Sequence, residues 1–419
     1  IRSYLNSGSG PTPSGIIAIT LIRGIPHRID DTDSPGIGDI PYDAAGPDIG
    51  DEFNARDATC AAVDAELVLL WQNLDSGEAG GPMDSKSDNL IDNPYHNLFN
   101  SPISGWSRTY ITTAKTFTAN NLIWQSNPPQ TRYRLTPGDM YLVCRIDGKT
   151  AADAIATIER AAGIVHNRRY GWILLDEDDG DDLDDDDYLG LFSAGNDYEE
   201  ARDALLAAGW RVRYDHSADF IEAHEHTEPL IAYASYGENH WPGPPGNGTY
   251  IDGFRLARGA VFNTMESYNG RAFNGLGTLF NQEQVADFLA AGGTFGAGNV
   301  WEPFSFTVPD NELLLVNFLV HRLTWAEAAY SALPALSWMQ IVVGDPLARV
   351  VDVVDWIGDF DADGDVDPAD ADILGGCASG PGVPHPPGDC VRTDLDGDGD
   401  VDQADFAVLQ RAYAPRPAP

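Results

Sequence analysis

The sequence predicts an α/β protein, with a mostly parallel sheet carrying helices on both faces, followed by a small α-helical module built on paired cation loops. Three observations predict it. Apolar strand-like runs alternate with helical periods from about residue 150 to residue 343. Repeated alternation of that kind builds a parallel sheet covered on both faces. Two acidic twelve-residue loops of identical spacing then follow, at Asp359–Asp370 and Asp394–Asp405. Finally, 419 residues exceed one average domain, which divides the chain into a large part, 1–355, and a small one, 356–415.

The alternating elements read in order as follows. Ile16–Ile22 and Met140–Ile146 are apolar strands. Thr150–Ala162 is a helix that Thr150 can cap, with Ile155, Ile158 and Ala162 on one face. Gly171–Leu175 is a buried strand, and Asp197–Ala208 a helix stopped by Gly209. Trp210–Tyr214, Pro229–Ser235 and Ala260–Thr264 are strands. Glu283–Ala291 is a helix that ends in Gly292-Gly293, before a glycine-rich strand, Thr294–Gly298. Asn311–Val320 and Thr324–Ala332 are helices, and Met339–Val343 is the closing strand. Asp30–Asp51 and Asp75–Asn127 are rich in Gly, Pro, Asn, Asp and Ser and read as long insertions or loops on one rim.

The formal net charge is -40. An excess of that size repels phosphate backbones and anionic lipid heads and attracts cations, so nucleic acid and acidic membranes are excluded as partners. No apolar run reaches the roughly 18–20 residues that cross a bilayer; Leu313–Val320 is the strongest and is far too short. The opening at Ile1, without an initiator Met, is read as a mature or partial product.

Of four cysteines, Cys377 and Cys390 flank a Gly-Pro-rich segment between the acidic loops. A disulfide there would stabilise by about 3 kcal/mol in the chain-entropy account and implies an oxidising, extracellular compartment. Cys144 lies in an apolar strand and reads as an inert buried thiol, with a Cys60–Cys144 bridge as the alternative.

An EF-hand loop needs oxygens at positions 1, 3, 5, 7, 9 and 12 and a glycine at 6. The first loop supplies Asp359, Asp361, Asp363, the Asp365 carbonyl, Asp367 and Asp370, with Gly364 at 6 and Val366 at 8. The second supplies Asp394, Asp396, Asp398, the Asp400 carbonyl, Asp402 and Asp405, with Gly399 at 6 and Val401 at 8. Two complete matches in tandem predict two bound Ca²⁺ ions. Apolar residues follow each loop: Ile373 and Leu374, then Phe406, Leu409 and Tyr413 at helical spacing. Asp176–Asp187, ten acidic residues in twelve, reads as a solvated loop, with a further cation site as the sharper alternative.

The loop–helix duplication, with Asp at position 12 of each loop, resembles dockerin type I modules. The resemblance implies a module that docks onto a protein partner or packs beside other extracellular modules. The Cys377–Cys390 insert departs from the cellulosomal pattern. Over residues 1–350, GIPHRI (Gly24–Ile29), AVDAELVLL (Ala62–Leu70), NPY (Asn93–Tyr95), YLVCRIDG (Tyr141–Gly148), GNVWEP (Gly298–Pro303), TWAEAAYSALPALSWMQ (Thr324–Gln340) and VGDPLARV (Val343–Val350) resemble, in order and spacing, a bacterial family of exosortase-bearing species. That family implies a further strand–helix segment before Ile1, so the N-terminal part of the fold is expected to be missing from this chain.

More distantly, the second half resembles the gingipain-like, caspase-fold cysteine peptidases. Their pattern has one strand ending in His-Gly and the next in a Ser-Cys-type nucleophile turn. Here IAYASYG places Tyr236-Gly237 at the first position, and AVFNTMESYNG places Glu266 or Ser267 at the second. A thiolate and an imidazole at adjacent strand ends are what such a peptidase requires, and both are replaced. The resemblance therefore implies a caspase-like fold without peptidase chemistry.

His240, Glu266, Ser267, Asn269 and Glu302 all follow strand C-termini, where parallel sheets place their crevice. Of these, Glu266, Ser267 and His240 are the weak candidates for a non-thiol hydrolase site. The bland reading is loop residues making local hydrogen bonds. His224 and His226 with Glu222 form an H-x-H lacking a third ligand. The leading expectation is a secreted, non-catalytic structural or interaction protein of the cell surface or of an extracellular assembly, with a protein partner or self-assembly through the C-terminal module.

Overall fold

The computed structural model describes residues 18–27, 62–70, 91–103, 140–177, 198–217, 221–237, 251, 253–273, 284–300, 303 and 307–414, together with four short strands between 110 and 135. Eight strands form one sheet: β1 (Ala18–Ile22), β2 (Leu142–Ile146), β3 (Trp172–Asp176), β4 (Arg211–Asp215), β5 (Leu230–Ser235), β6 (Leu256–Thr264), β7 (Phe295–Asn299) and β8 (Gln340–Val343). Their order across the sheet is β1-β2-β8-β7-β6-β5-β3-β4. Every neighbouring pair is parallel except β7 and β8, which run antiparallel. The sheet is thus two parallel blocks joined at one antiparallel seam.

Among the described residues there are eight α-helices, the last two following the acidic loops: α1 (Val63–Val68), α2 (Ala151–Ala161), α3 (Tyr198–Ala207), α4 (Val285–Ala290), α5 (Asn311–Leu315), α6 (Trp325–Ala332), α7 (Pro368–Cys377) and α8 (Gln403–Ala412). Alternate residues of the strands enter two separate cores, as a pleat requires. Ile173, Leu175, Ala232, Ala234, Val261 and Val342 belong to one, with residues of α3, α5 and α6. Leu174, Tyr233, Phe262, Ile341 and Val343 belong to the other, with Val285, Phe288 and Leu289 of α4. The near-continuous apolar strands of the sequence are the signature of a sheet buried on both faces. Phe295, Phe318 and Trp325 tie β7 to the α5 and α6 region, with ring centroids 4.9–5.6 Å apart.

Thr150 caps α2 and Thr324 caps α6, each through a reciprocal capping box. The buried face of α2 differs from the one its spacing predicts. Ile155 and Ile158 are 56% and 42% exposed, and Ala154, Thr157 and Ala161 are buried instead. Small side chains let this helix lie close, and Arg160 reaches the carbonyls of Leu289 and Gly293 beside α4. The predicted helix Asn311–Val320 is α-helical only to Leu315 and continues as a π turn over Val316–Val320.

Beneath the first block, Arg145 of β2 is fully buried and donates to Asp64 of α1 and to the carbonyls of Ile25 and Pro26. This one guanidinium joins the YLVCRIDG and GIPHRI segments. After β8, Val350–Val354 pairs in parallel with Ile164–Asn167, a two-stranded ribbon that carries the chain to the first acidic loop.

Candidate metal centre

Each acidic loop runs into a helix that its own aspartates start. Asp367 caps α7 through Ala369 N, and Asp402 caps α8 through Ala404 N. The position-12 carboxylates close both loops in the same way. Asp370 accepts from the N–H groups of Phe360, Asp361 and Asp367 at 2.5–3.4 Å. Asp405 accepts from Leu395, Asp396 and Asp402 at 2.6–3.2 Å. Gly364 and Gly399, both at positive φ, donate to Asp359 and Asp394 across the turn.

The loops also exchange backbone pairing. Val366, at position 8 of the first, makes a two-way bridge with Ala414 after α8, with N···O distances of 3.2 and 3.0 Å. Val401, at position 8 of the second, accepts from Ser379 and Gly380 after α7. Each half thus closes on the tail of the other's helix. The Cys377–Cys390 disulfide is present, joining the end of α7 to the short 3₁₀ turn Asp389–Thr393 that precedes the second loop.

Among the described residues, four groups of three carboxylates converge, with an oxygen of each within 4.8 Å of the others: Asp359, Asp361 and Asp370; Asp365, Asp367 and Asp370; Asp394, Asp396 and Asp405; and Asp400, Asp402 and Asp405. These clusters could hold metal ions. Asp359 Oδ1 is buried and lacks a hydrogen-bond partner, as expected of an oxygen kept for a cation. Burial, with the repulsion of Asp370, Asp361 and Asp363, pushes Asp359 up to about 8 against the opposing bond from Asn167. Asp370 is pushed up to about 7, again chiefly by burial. Carboxylates so disposed are held together at a cost that a cation removes. Asp363 and Asp398 are outside the four groups and instead accept from the N–H of Asp365 and Asp400.

The remaining candidates lie at the C-terminal edge of the sheet. The register aligns Asp176, Ser235 and Thr264 in one row across β3, β5 and β6. Glu266, buried, accepts from Thr264 Oγ1 at 3.2 Å, and its backbone carbonyl accepts from Asn299. A Cβ at Gly237, at φ +78°, would collide with the Glu266 side chain, so the Tyr236-Gly237 turn and Glu266 are packed together. Ser267 is buried beside it, and Asn269 bonds Thr264 and the Asn299 N–H. His240, Glu302 and Cys60 lie outside the described residues, as does 178–187 of the acidic run.

The first two residues of that run are not solvated: Asp176 and Glu177 are buried. Asp176 is the last residue of β3; its Oδ1 has no partner, and burial pushes it up to about 7. Cys144 is a free, fully buried thiol pushed well up by burial, and so inert. His226 is buried against Trp172 and Phe254 whereas His224 is exposed, and neither joins a metal-type cluster among the described residues.

No protein-family model matches the chain, and no curated protein matches it. The geometry therefore stands alone. It contains one residue that sequence reasoning passed over: Asn167, the last residue of the strand Ile164–Asn167, donates to Asp359 Oδ2 at 3.1 Å. Only an Asn at a strand end hinted at it, and nothing in the sequence relates position 167 to the acidic loop.

Among the described residues, no helix is long and apolar enough to cross a membrane.

Proposed function

We propose that the chain is a secreted, non-catalytic structural or interaction protein whose two acidic loops bind Ca²⁺ and thereby set up a C-terminal docking module of the dockerin type. The observation that carries the reading is the duplication of one loop design in space. Asp359–Asp370 and Asp394–Asp405 share their closing carboxylate, their glycine turn and their helix cap. Six- to eight-oxygen Ca²⁺ is the cation for sets made of carboxylate and carbonyl oxygens alone; zinc sites would draw on His or Cys. The ligands would be Asp359, Asp361, Asp363, Asp367 and Asp370 with the Asp365 carbonyl, and Asp394, Asp396, Asp398, Asp402 and Asp405 with the Asp400 carbonyl.

Extracellular residence is supported by the Cys377–Cys390 bond, because cytosolic thiols stay reduced. A docking role is supported by an apolar groove between α7 and α8, lined by Pro368, Ala371, Phe406, Leu409 and Tyr413. Its residues Phe406 and Tyr413 are 41% and 55% exposed. The resemblance of the α/β part to caspase-fold peptidases makes it a scaffold: Glu266 occupies the turn expected to carry the nucleophile, and its side chain is packed against Gly237. A second reading, a hydrolase with a non-thiol site around Glu266 and Ser267, is favoured by one observation, the unpartnered Asp176 oxygen at the same sheet edge.

The test is a Ca²⁺ titration of the whole chain, followed by thermal unfolding and by mass from light scattering. Extracellular sites of this kind bind at roughly 10⁻⁴–10⁻³ M. Two saturable sites and a rise in unfolding temperature are expected, and a parallel rise in mass would mark self-assembly. A chain that Ca²⁺ neither binds nor stabilises would defeat the reading. Hydrolysis of a peptide or ester library that is lost in Glu266→Ala or Ser267→Ala would establish the second reading instead.

A further inference from the structure

The two acidic loops are alike in sequence but not in surroundings. Asp359 is fully buried, and Asp394 is only half-buried. Gly364 sits against the large domain: a Cβ there would lie 2.6 Å from the Val165 carbonyl oxygen, whereas nothing approaches Gly399. Phe360, beside Asp359, packs edge-on against Tyr170 at 5.3 Å, and Gly358 N donates to the Tyr170 hydroxyl oxygen.

The position-1 carboxylates are correspondingly held in different ways. In the second loop, Asp394 is folded onto its own backbone. Its Oδ1 accepts from Gly397 N and Asp398 N at 2.8 and 3.2 Å, and its Oδ2 from Gly399 N. In the first loop, Oδ2 of Asp359 takes both bonds, from Gly364 N and from Asn167 Nδ2, and Oδ1 is left without a partner. Asn167 is itself fixed. Its Oδ1 accepts from Arg169 N at 2.9 Å, and its Nδ2 also donates to the Trp356 carbonyl at 2.8 Å.

We propose that Asn167, supplied by the α/β part of the chain, is a positioning residue of the first cation loop, and that it makes the two loops unequal: a pre-set, tighter site at Asp359–Asp370 and a looser, exchangeable one at Asp394–Asp405. The proposal rests on the reading of both loops as Ca²⁺ sites. Its physical basis is that a hydrogen bond from outside the loop orients the ligand carboxylate before the cation arrives, so that less local bonding must be broken on binding. Removal of such supporting bonds lowers metal affinity by roughly 10–100-fold in other metal sites. The neutral amide of Asn orients Asp359 without cancelling the charge that attracts the ion.

The experiment is calorimetric titration of the chelator-stripped full chain with CaCl₂, in the parent and in Asp359→Asn, Asp394→Asn and Asn167→Ala, with thermal unfolding as a second readout. Two unequal sites are expected in the parent, the tighter lost in Asp359→Asn and the weaker in Asp394→Asn. Asn167→Ala should weaken the tighter site about tenfold or more and leave the weaker one in place. Equal affinities in the parent, or a tighter site assigned to Asp394, would overturn the inference even if Asn167→Ala fails to fold. So would an Asn167→Ala chain that folds and binds as the parent does. A parent that binds no Ca²⁺ would overturn the loop reading and this inference together, whereas two equal sites would leave the loop reading standing.

Discussion

Asn167 and Asp359 join the two parts of the chain through a buried hydrogen bond of 3.1 Å. The bond lies within a continuous apolar contact. Phe360, Ala362 and Val366 of the first loop belong to the same core as Ile173, Ala232 and Val261 of the sheet. Farther out, Asp389 accepts from Thr227 and Arg255, and Arg392 donates to the Phe360 carbonyl. The C-terminal module is therefore seated on the large part, with its first loop inward and its second outward.

Cooperative unfolding should follow from that seating. A loop sharing the core of its neighbour cannot melt without exposing it, so calcium is expected to raise the midpoint of one shared transition. At free Ca²⁺ a hundredfold above the dissociation constant, each site adds about 2.7 kcal/mol. Scanning calorimetry with and without chelator checks this. Two transitions, of which only the smaller responds to Ca²⁺, would show that the contact does not couple the parts.

The closing carboxylates should matter even without metal. Asp370 and Asp405 each accept three backbone N–H groups. Substitution by Ala strands these donors, at about 1–3 kcal/mol for each left unsatisfied. Asp370→Ala and Asp405→Ala are both expected to destabilise, because both carboxylates are buried, at 1% and 0% exposure, and water cannot easily replace the lost acceptor. Denaturant unfolding in chelator measures both; a variant as stable as the parent would show that the stranded donors find other acceptors.

Reduction of the Cys377–Cys390 disulfide frees a loop of 13-residue separation. By the chain-entropy account its loss costs about 3 kcal/mol. The Cys377→Ala, Cys390→Ala double variant should lower the midpoint by a corresponding amount and show the effect most strongly when calcium is absent. A variant as stable as the parent would show that the loop is already ordered by its own contacts.

The sequence made the duplicated loops legible because ligand spacing is local: positions 1 to 12 lie within one turn of chain, and Gly364 and Gly399 mark it. The strands were legible for the same reason, since Leu142–Ile146 and Leu230–Ser235 are buried on both faces and are apolar in sequence apart from Arg145 and Ser235. The buried face of α2 was misread, because periodicity ranks Ile155 above Ala154 whereas close helix packing selects the smaller residue. Asn167 was illegible as a site residue: its importance comes from neighbours distant in sequence, and a single polar residue at a strand end carries no pattern. Asp176 is legible only as the start of the acidic run, and nothing local marks it as buried in register with Ser235.

The buried pair of Arg145 and Asp64 should be among the most sensitive positions. Both side chains are essentially inaccessible, at 2.5 Å from each other. Asp64→Ala leaves the guanidinium buried with Asp147 and two carbonyls, and breaking such a pair costs about 3–5 kcal/mol. Joint replacement of both residues by apolar ones of similar volume is expected to be milder. A double-mutant cycle read by urea unfolding separates the two, and a loss under about 1 kcal/mol for Asp64→Ala would mean that water enters the site.

Acid sensitivity should trace in part to His166, alongside His226, which burial pushes down to about 4. His166 is fully buried beside Trp210, neither ring nitrogen has a partner, and burial pushes it down to about 3. In the unfolded chain it titrates near 6.5. Between those values the unfolded state holds a proton that the folded state refuses, so stability falls as the pH drops below about 6.5 and is unaffected by this group above it. The slope from this residue approaches about 1.4 kcal/mol per pH unit. Asp176 acts in the opposite sense: pushed up to about 7, it favours the folded state at low pH and loses that contribution as the pH rises from about 4 to 7. Replacement of His166 by Leu removes the first effect alone. The His166→Leu chain is therefore expected to match or exceed the parent at pH 7 and to hold its stability better between pH 6 and 4. Unfolding free energies measured across that range, in chelator so that the acidic loops contribute alike to both proteins, decide it; parallel curves would show that His166 finds a proton acceptor in the folded chain.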